Sequence, residues 1–81
     1  MATSEPDDLT ELSPMAWRLL RVAAGYEQRA VEREVDGVVQ AHISMLESGS
    51  RGLSLERRRE LFDLYTAELT DEQVEVLSDY F

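Results

Sequence analysis

The segment from Val39 to Ser48 carries the side chains of this sequence that are best suited to recognise another molecule. Apolar residues at helical spacing, namely Val39, Ile43 and Leu46, predict a helix with one face on a core. The opposite face then carries uncharged side chains, Ala41, Ser44, Met45 and Ser48, with Gln40 and His42 on its flanks. A glutamine can pair with adenine through two hydrogen bonds, serine bonds several base edges, and alanine or methionine contacts a thymine methyl group. These residue types favour entry into the major groove of double-stranded DNA, with Gln40 as the first candidate for reading a base; the alternative is a solvated helix face without a partner.

The sequence offers little for catalysis or for binding a metal. It has no cysteine, and its one histidine, His42, lacks the second histidine or the cysteines that a zinc site needs. No glycine-rich loop suggests a phosphate cradle, and a chain this short leaves little room for a substrate pocket. We therefore expect no enzyme, no cofactor, no metal site and no small-molecule ligand.

The charge of the chain is strongly negative and unevenly spread. Its 81 residues include 17 acidic residues and eight arginines without a lysine, for a net charge of -9. A GC-rich genome or the molar salt inside a halophilic archaeon would each explain this bias, and we expect the latter. Residues 14–52 balance five arginines against five acids, whereas residues 53–81 set three arginines against eight acids. Only the middle segment therefore lacks a net negative charge, which would repel a polyanion such as DNA.

The cellular location is predicted from the absence of several signals. The first residues are acidic, no apolar run reaches the length of a membrane span, and there is no cysteine to indicate an oxidising compartment. We expect a cytoplasmic protein without membrane association.

The four glycines lie where apolar periods end, and they divide the chain into helices. The pattern predicts five helices, over residues 13–24, about 27–35, about 39–48, 54 to about 69, and 70–81. No alternation typical of strands appears, so the fold class is all-α, a compact five-helix bundle. The predicted domains are a disordered acidic arm over residues 1–12, a helix-turn-helix domain over 13–69, and a C-terminal helix over 70–81.

Local signals mark several helix ends. Ser13 before Pro14 is typical of a helix start, and Thr70 with Gln73 three residues later predicts a capping box. Arg57 and Glu60 lie within helical reach of each other and predict an ion pair on the fourth helix.

The stretch from Leu20 to Leu64 resembles the Cro/repressor (XRE-type) helix-turn-helix family, whose domains are lambda-repressor-like. The similar segments read LRVAAGYEQ, REVDGVVQAHISMLESGS and LSLERRRELFDLY. The resemblance implies that Arg21 and Glu47 form an ion pair between the first and third helices. It also implies that Gln28 meets a DNA phosphate and that Ser44 lies on the recognition helix.

The resemblance implies a sequence-specific transcriptional regulator, such as a repressor, that binds DNA through its third helix. Arg29 and Arg51 are further DNA contacts on this interpretation, and Arg18 is a candidate for a phosphate. Two residues depart from the family pattern. Glu32 stands where a small residue usually packs between two helices, and Glu27 stands where a short polar residue usually approaches a phosphate.

The last helix carries more apolar residues than packing on one side requires. Val74, Leu77, Tyr80 and Phe81 predict a dimer interface, and a homodimer would read two half-sites about one helical turn apart. The alternative is that this helix only closes the core of the monomer.

A second reading of the whole chain remains open. The net charge, Glu27 and Glu32 also suit an acidic protein-interaction module of the same fold, which binds a partner protein instead of DNA.

Overall fold

The fold is all-α, and four of its α-helices begin or end at a local sequence signal, Ser13, Gly25, Gly49, Ser54 or Thr70. The computed structural model describes residues 9–50 and 53–81. In these ranges there are one short 3-10 helix, Leu9–Glu11, and five α-helices, namely α1 (Pro14–Ala24), α2 (Gln28–Glu34), α3 (Gln40–Ser48), α4 (Leu55–Thr66) and α5 (Asp71–Tyr80). The prediction of a compact five-helix bundle is confirmed.

Side-chain caps explain three of the helix starts. The Ser13 hydroxyl accepts a hydrogen bond from the Ala16 N–H at 2.9 Å at the start of α1, and Ser54 caps α4 in the same way. Thr70 and Gln73 exchange the two bonds of the predicted capping box, at 3.1 and 2.8 Å. Each such cap satisfies an N–H that a helix start leaves without a partner.

Glycine ends α1 and lies in the turn between α2 and α3. Gly25 has φ of 91°, a left-handed conformation, and its N–H donates to the Arg21 and Val22 carbonyls. Gly37 has φ of 82°, and a Cβ at this position would lie 2.8 Å from Nη2 of Arg57. Only glycine fits this turn without strain and without moving the Arg57 side chain of α4.

The core forms around Trp17 of α1. Its ring meets the rings of Phe62 and Tyr65 edge-on, each with centroids 6.5 Å apart. The core includes residues from the 3-10 helix, from α1 to α4 and from the segments between these elements, namely Leu9, Leu12, Ala16, Trp17, Leu20, Val31, Val35, Val38, Ile43, Leu46, Leu61, Phe62 and Tyr65. Helices α3, α4 and α5 all contact α1, and α2 contacts α3. Helix α1 is therefore the support on which the other elements are placed.

The predicted arm was wrong at its C-terminal end. Residues 1–8 lie outside the described residues, but Leu9 and Leu12 belong to the core, and the 3-10 helix contacts α4. Burying two leucines at helical spacing removes apolar surface from water, which stabilises order where the polar composition predicted none.

The inward face of the third helix also needs a correction. Val39 was expected to face the core, but it is 48% exposed, whereas Val38 is 3% exposed and takes the inner position. Val39 is the N-cap residue of α3 and has an extended backbone, so the helical period does not yet apply to it. Ile43 and Leu46 are buried as predicted.

Candidate nucleic-acid interface

The outer face of α3 is uncharged and open to solvent. Ala41, Ser44, Met45 and Ser48 are all exposed, as the sequence predicts. The one charged residue of this helix is Glu47, whose carboxylate is turned towards α1 and α2. Side chains of this face are thus free to meet another molecule without a charge of their own.

Gln40 lies at the first position of α3 and is held by two neighbours on α2. Its Nε2 donates to Oε1 of Gln28 at 3.3 Å, and Nε of Arg29 donates to Oε1 of Gln40 at 3.3 Å. An amide oxygen has two lone pairs and an amide nitrogen two hydrogens, so these bonds use half of the capacity of Gln40. The Gln40 side chain is therefore oriented and still has one lone pair and one N–H unused.

Gln28 joins both ends of α3 to the start of α2. Besides accepting from Gln40, it donates through Nε2 to Oε1 of Glu47 at 3.2 Å. The sequence predicts a phosphate contact for Gln28, but its two recorded bonds are to side chains of α3. In the chain by itself, the Gln28 side chain therefore links α2 to α3 through hydrogen bonds.

The ion pair between Arg21 and Glu47 is present and nearly buried. Nε of Arg21 lies 2.7 Å from Oε2 of Glu47, and Nη2 donates to Oε1 at 3.1 Å. The side chains are 11% and 6% exposed, and the hydrogen bond to Glu47 raises the pKa of Arg21 above its ordinary value. Arg21 also donates to the Tyr26 carbonyl at 2.8 Å, so it ties α3 and the α1–α2 turn to one guanidinium.

The N-terminus of α3 is capped by residues that sequence reasoning assigned otherwise. The Glu32 carboxylate accepts from the Gln40 backbone N–H, and the Val39 N–H donates to Nδ1 of His42 at 3.2 Å. A carboxylate at this position is favoured by the positive end of the helix dipole. Glu32 is exposed and does not pack between the two helices, so its departure from the family pattern has a structural explanation. His42, named as a flanking DNA contact, uses one ring nitrogen for this cap.

A cleft of about 310 Å³ runs along the outer face between α1 and α3. It is lined by Arg18 and Arg21 of α1, by Gln28, and by Ser44, Glu47 and Ser48 of α3. Arg18 is exposed and has no acidic partner among the described residues. Sequence reasoning named Arg18 for a phosphate, but only the packing of α1 on α3 brings it beside Ser44 and Ser48.

Positive charge flanks the α3 face on two sides. Arg18 lies on the α1 side and Arg29 on the α2 side, and Arg29 is bonded to a neutral amide instead of a carboxylate. Arg51, predicted as a further contact, lies outside the described residues. Glu27 is exposed at the N-cap of α2 and makes no side-chain capping bond there.

The residues predicted for a dimer interface divide into two pairs. Val74 and Leu77 are half-buried and pack against the core of the chain itself, whereas Tyr80 and Phe81 are 77% and 53% exposed.

The predicted ion pair of Arg57 with Glu60 on α4 is present at 2.9 Å.

Within residues 9–50 and 53–81, no group of three or more histidine, aspartate or glutamate side chains is arranged to hold a metal ion. None of the helices in these ranges is both long and apolar enough to cross a membrane.

Residues 6–58 match a protein family defined as a domain of unknown function, DUF8599. The chain belongs to this family. The matched segment of DUF8599 contains α1, α2 and α3 entire, with the Arg21–Glu47 pair and the α3 face, and it ends early in α4. No curated protein and no solved structure matches the chain. The family description names no function, so the resemblance to the Cro/repressor family stays a prediction.

Proposed function

We propose that this protein is a cytoplasmic, sequence-specific DNA-binding regulator, whose helix α3 enters the major groove of double-stranded DNA. Helix α2, the turn at Gly37 and helix α3 would then act as a helix-turn-helix. The observation that carries the proposal is the uncharged, exposed face of α3, with an arginine on either side. A helix face of this kind can approach base edges while the flanking cations meet phosphates.

Gln40 is the residue proposed to read a base. Its unused lone pair and N–H are the groups needed to pair with N6 and N7 of adenine. The bonds to Gln28 and Arg29 fix the amide in advance, which lowers the entropy lost when the complex forms. Ser44 and Met45, one turn further along, are proposed to meet the next bases.

Arg18 and Arg29 are proposed to position the protein on the phosphate backbone. Phosphate contacts add affinity without sequence information, so both arginines should strengthen binding to any duplex. Whether one or two copies occupy an operator stays a prediction. Two copies would read half-sites about one helical turn apart.

The test is a selection of bound fragments from the source genome, followed by titration of the selected duplex. For Gln40→Ala we expect affinity to fall about tenfold to a hundredfold on the selected site, since one bidentate base contact gives about 1–3 kcal/mol of discrimination. Affinity for unrelated duplexes should stay nearly unchanged. Gln73→Ala is a matched control, because Gln73 is also a helix-start glutamine but lies on α5.

Arg29→Ala should weaken binding to selected and unrelated duplexes alike, through loss of one phosphate contact. Arg33→Ala is its control, since Arg33 is exposed on the same helix but makes no bond to α3. Failure to retain any duplex, in salt matched to the source, would reject the proposal. That result would favour the acidic protein-interaction module instead.

A further inference from the structure

An apolar groove lies between α1 and α5, away from the cleft beside α3. The two helices run antiparallel: the Ser13 hydroxyl at the start of α1 donates to the Phe81 carbonyl after α5, and Ala23 near the end of α1 lies beside the first turns of α5. The groove encloses about 420 Å³ and is lined by Ala23, Glu72, Gln73, Val76 and Leu77. Its walls are mainly apolar.

Apolar side chains outside the lining of the groove are also exposed on both helices. Val76 is 43% exposed and Tyr80, one turn later, is 77% exposed. On α1, Met15 and Val22 are 49% and 53% exposed. Single exposed apolar residues are ordinary, but several on two helices in contact are typical of a surface that binds a partner.

Carboxylates border this apolar surface. Glu72 lines the groove itself, and Asp79 lies two turns further along the same side of α5, whereas Glu75 and Asp71 lie progressively further round the helix. None of the four is in an ion pair with the residues that the structure describes, and α5 carries no basic residue.

The stability of α5 explains the positions of only two of these four acidic residues. Asp71 and Glu72 lie in the first turn, where negative charge is favoured by the helix dipole. Glu75 and Asp79 are like charges four residues apart, which destabilises a helix, and Asp79 lies in the last turn, where the dipole opposes it. Their arrangement suits a positively charged partner better than it suits the isolated helix.

Charge complementarity decides among the possible occupants. A second copy related by a two-fold axis would bring this acidic side of α5 against the same acidic side of its partner, and nucleic acid or an anionic lipid surface would be repelled as well. A segment with apolar side chains on one face and lysine or arginine beside them would match both the groove and its border.

We propose that the α1–α5 groove binds a basic amphipathic helix of another protein. Apolar side chains of that helix, spaced by three and four residues, contact Val76 and Tyr80, and its cations pair with Glu72, Glu75 and Asp79. Helix α5 has ten residues and is about 15 Å long, so about three turns of the partner fit along it. This site is independent of DNA binding by α3.

The probe is a synthetic 14-residue helical peptide with leucine at alternating spacings of three and four and arginine at the flanking positions. Its affinity for the full chain is measured by calorimetry, beside a peptide with glutamate in place of arginine. We expect the arginine peptide to bind and the glutamate peptide to bind at least a hundredfold more weakly. The triple variant Glu72→Gln, Glu75→Gln, Asp79→Asn should bind the arginine peptide at least tenfold more weakly.

The control triple variant is Glu34→Gln, Asp36→Asn, Asp63→Asn. These exposed acids line a different cleft, between the end of α2 and α4, and their replacement changes the net charge equally. We expect this variant to bind the arginine peptide within threefold of the unchanged protein. Equal weakening of both triple variants would mean that net charge alone attracts the peptide, which would overturn the proposal.

The apolar half of the site is tested with Val76→Ser and Tyr80→Ser, each expected to weaken peptide binding about tenfold. Leu55→Ser is the control, since Leu55 is 56% exposed at the start of α4. Circular dichroism checks that each variant is folded. Absence of binding to the unchanged protein overturns the proposal. The proposal would also be overturned if the unchanged protein sedimented as a dimer and the Val76→Ser and Tyr80→Ser variants as monomers. A second copy of the chain would then be the occupant of the groove.

Discussion

Removing either partner of the Arg21–Glu47 ion pair should destabilise the fold at least as much as removing both. The pair is bidentate, and its side chains are only 11% and 6% exposed, so either group left alone keeps a charge largely out of water. Breaking a buried pair in this way costs about 3–5 kcal/mol, whereas replacing both partners with apolar residues is often nearly neutral. We expect about 3 kcal/mol for Arg21→Met, about the same for Glu47→Leu, and no more than about 3 kcal/mol for the double variant.

The expected coupling energy between the two positions is therefore at least about 3 kcal/mol, at the upper end of measured values for contacting residues. A chain of this length has a total stability of about 4–12 kcal/mol, so each single change removes a large fraction of it. The assay is urea unfolding followed by fluorescence of Trp17, which is the single tryptophan and is 1% exposed. Unfolding curves of the four proteins give the coupling directly.

The Arg57–Glu60 pair of α4 serves as the matched control. Its side chains are 37% and 43% exposed, and an exposed pair of this spacing couples by about 0.5 kcal/mol or less. A coupling at Arg21 and Glu47 as small as that of the surface pair would refute the reasoning, since burial would then add nothing to the interaction.

Three further predictions concern the core, the pH dependence of stability and the salt dependence of binding. Leu9→Ala should lower the free energy of unfolding by about 2–4 kcal/mol, because Leu9 is 1% exposed. Leu55→Ala, at an exposed position, should lower it by under about 0.5 kcal/mol. Equal losses of stability in urea unfolding would show that the 3-10 helix is not part of the core. Burial raises the pKa of Tyr65. Its contribution to the free energy of unfolding is therefore intact below the ordinary tyrosine pKa and is lost as pH rises above about 10, by about 1.4 kcal/mol per pH unit. Tyr65→Phe should remove this slope and Tyr80→Phe should not; identical alkaline unfolding of both variants would contradict the assignment. With Arg18 and Arg29 as the flanking cations, the logarithm of DNA affinity should fall by about two for each tenfold rise in salt, and a measured slope steeper than about five would contradict this small number of phosphate contacts.

Much of the fold could be predicted because its signals are local. A serine before a proline, a threonine three residues before a glutamine, and a glycine after an apolar period act on backbone groups within one helical turn. Ser13, Thr70 and Gly25 therefore mark helix ends in the structure as they do in the sequence. The charge and hydropathy pattern likewise predicts which side of α3 is buried at Ile43 and Leu46.

Predictions that depend on contacts between distant residues were less complete. Leu9 and Leu12 stand in a polar, acidic segment, and only the surface offered by α1 and α4 makes their burial favourable. Val38 replaces Val39 in the core because the turn at Gly37 sets where the helical period of α3 begins. Neither outcome can be read from spacing along the chain.

The amino-acid sequence by itself determined the five α-helices, most of their ends and the neutral composition of the α3 face, because these depend on interactions between near neighbours. Tertiary structure alone decided which hydrogen-bond partners and neighbours the polar side chains around that face have. It turned Glu32 into a cap for α3, held Gln40 between Gln28 and Arg29, and brought Arg18 beside Ser44. It also divided α5 into Val74 and Leu77 facing the core and Tyr80 facing solvent. The reason is that hydrogen bonds and apolar contacts between helices depend on how the helices pack, which no single segment specifies.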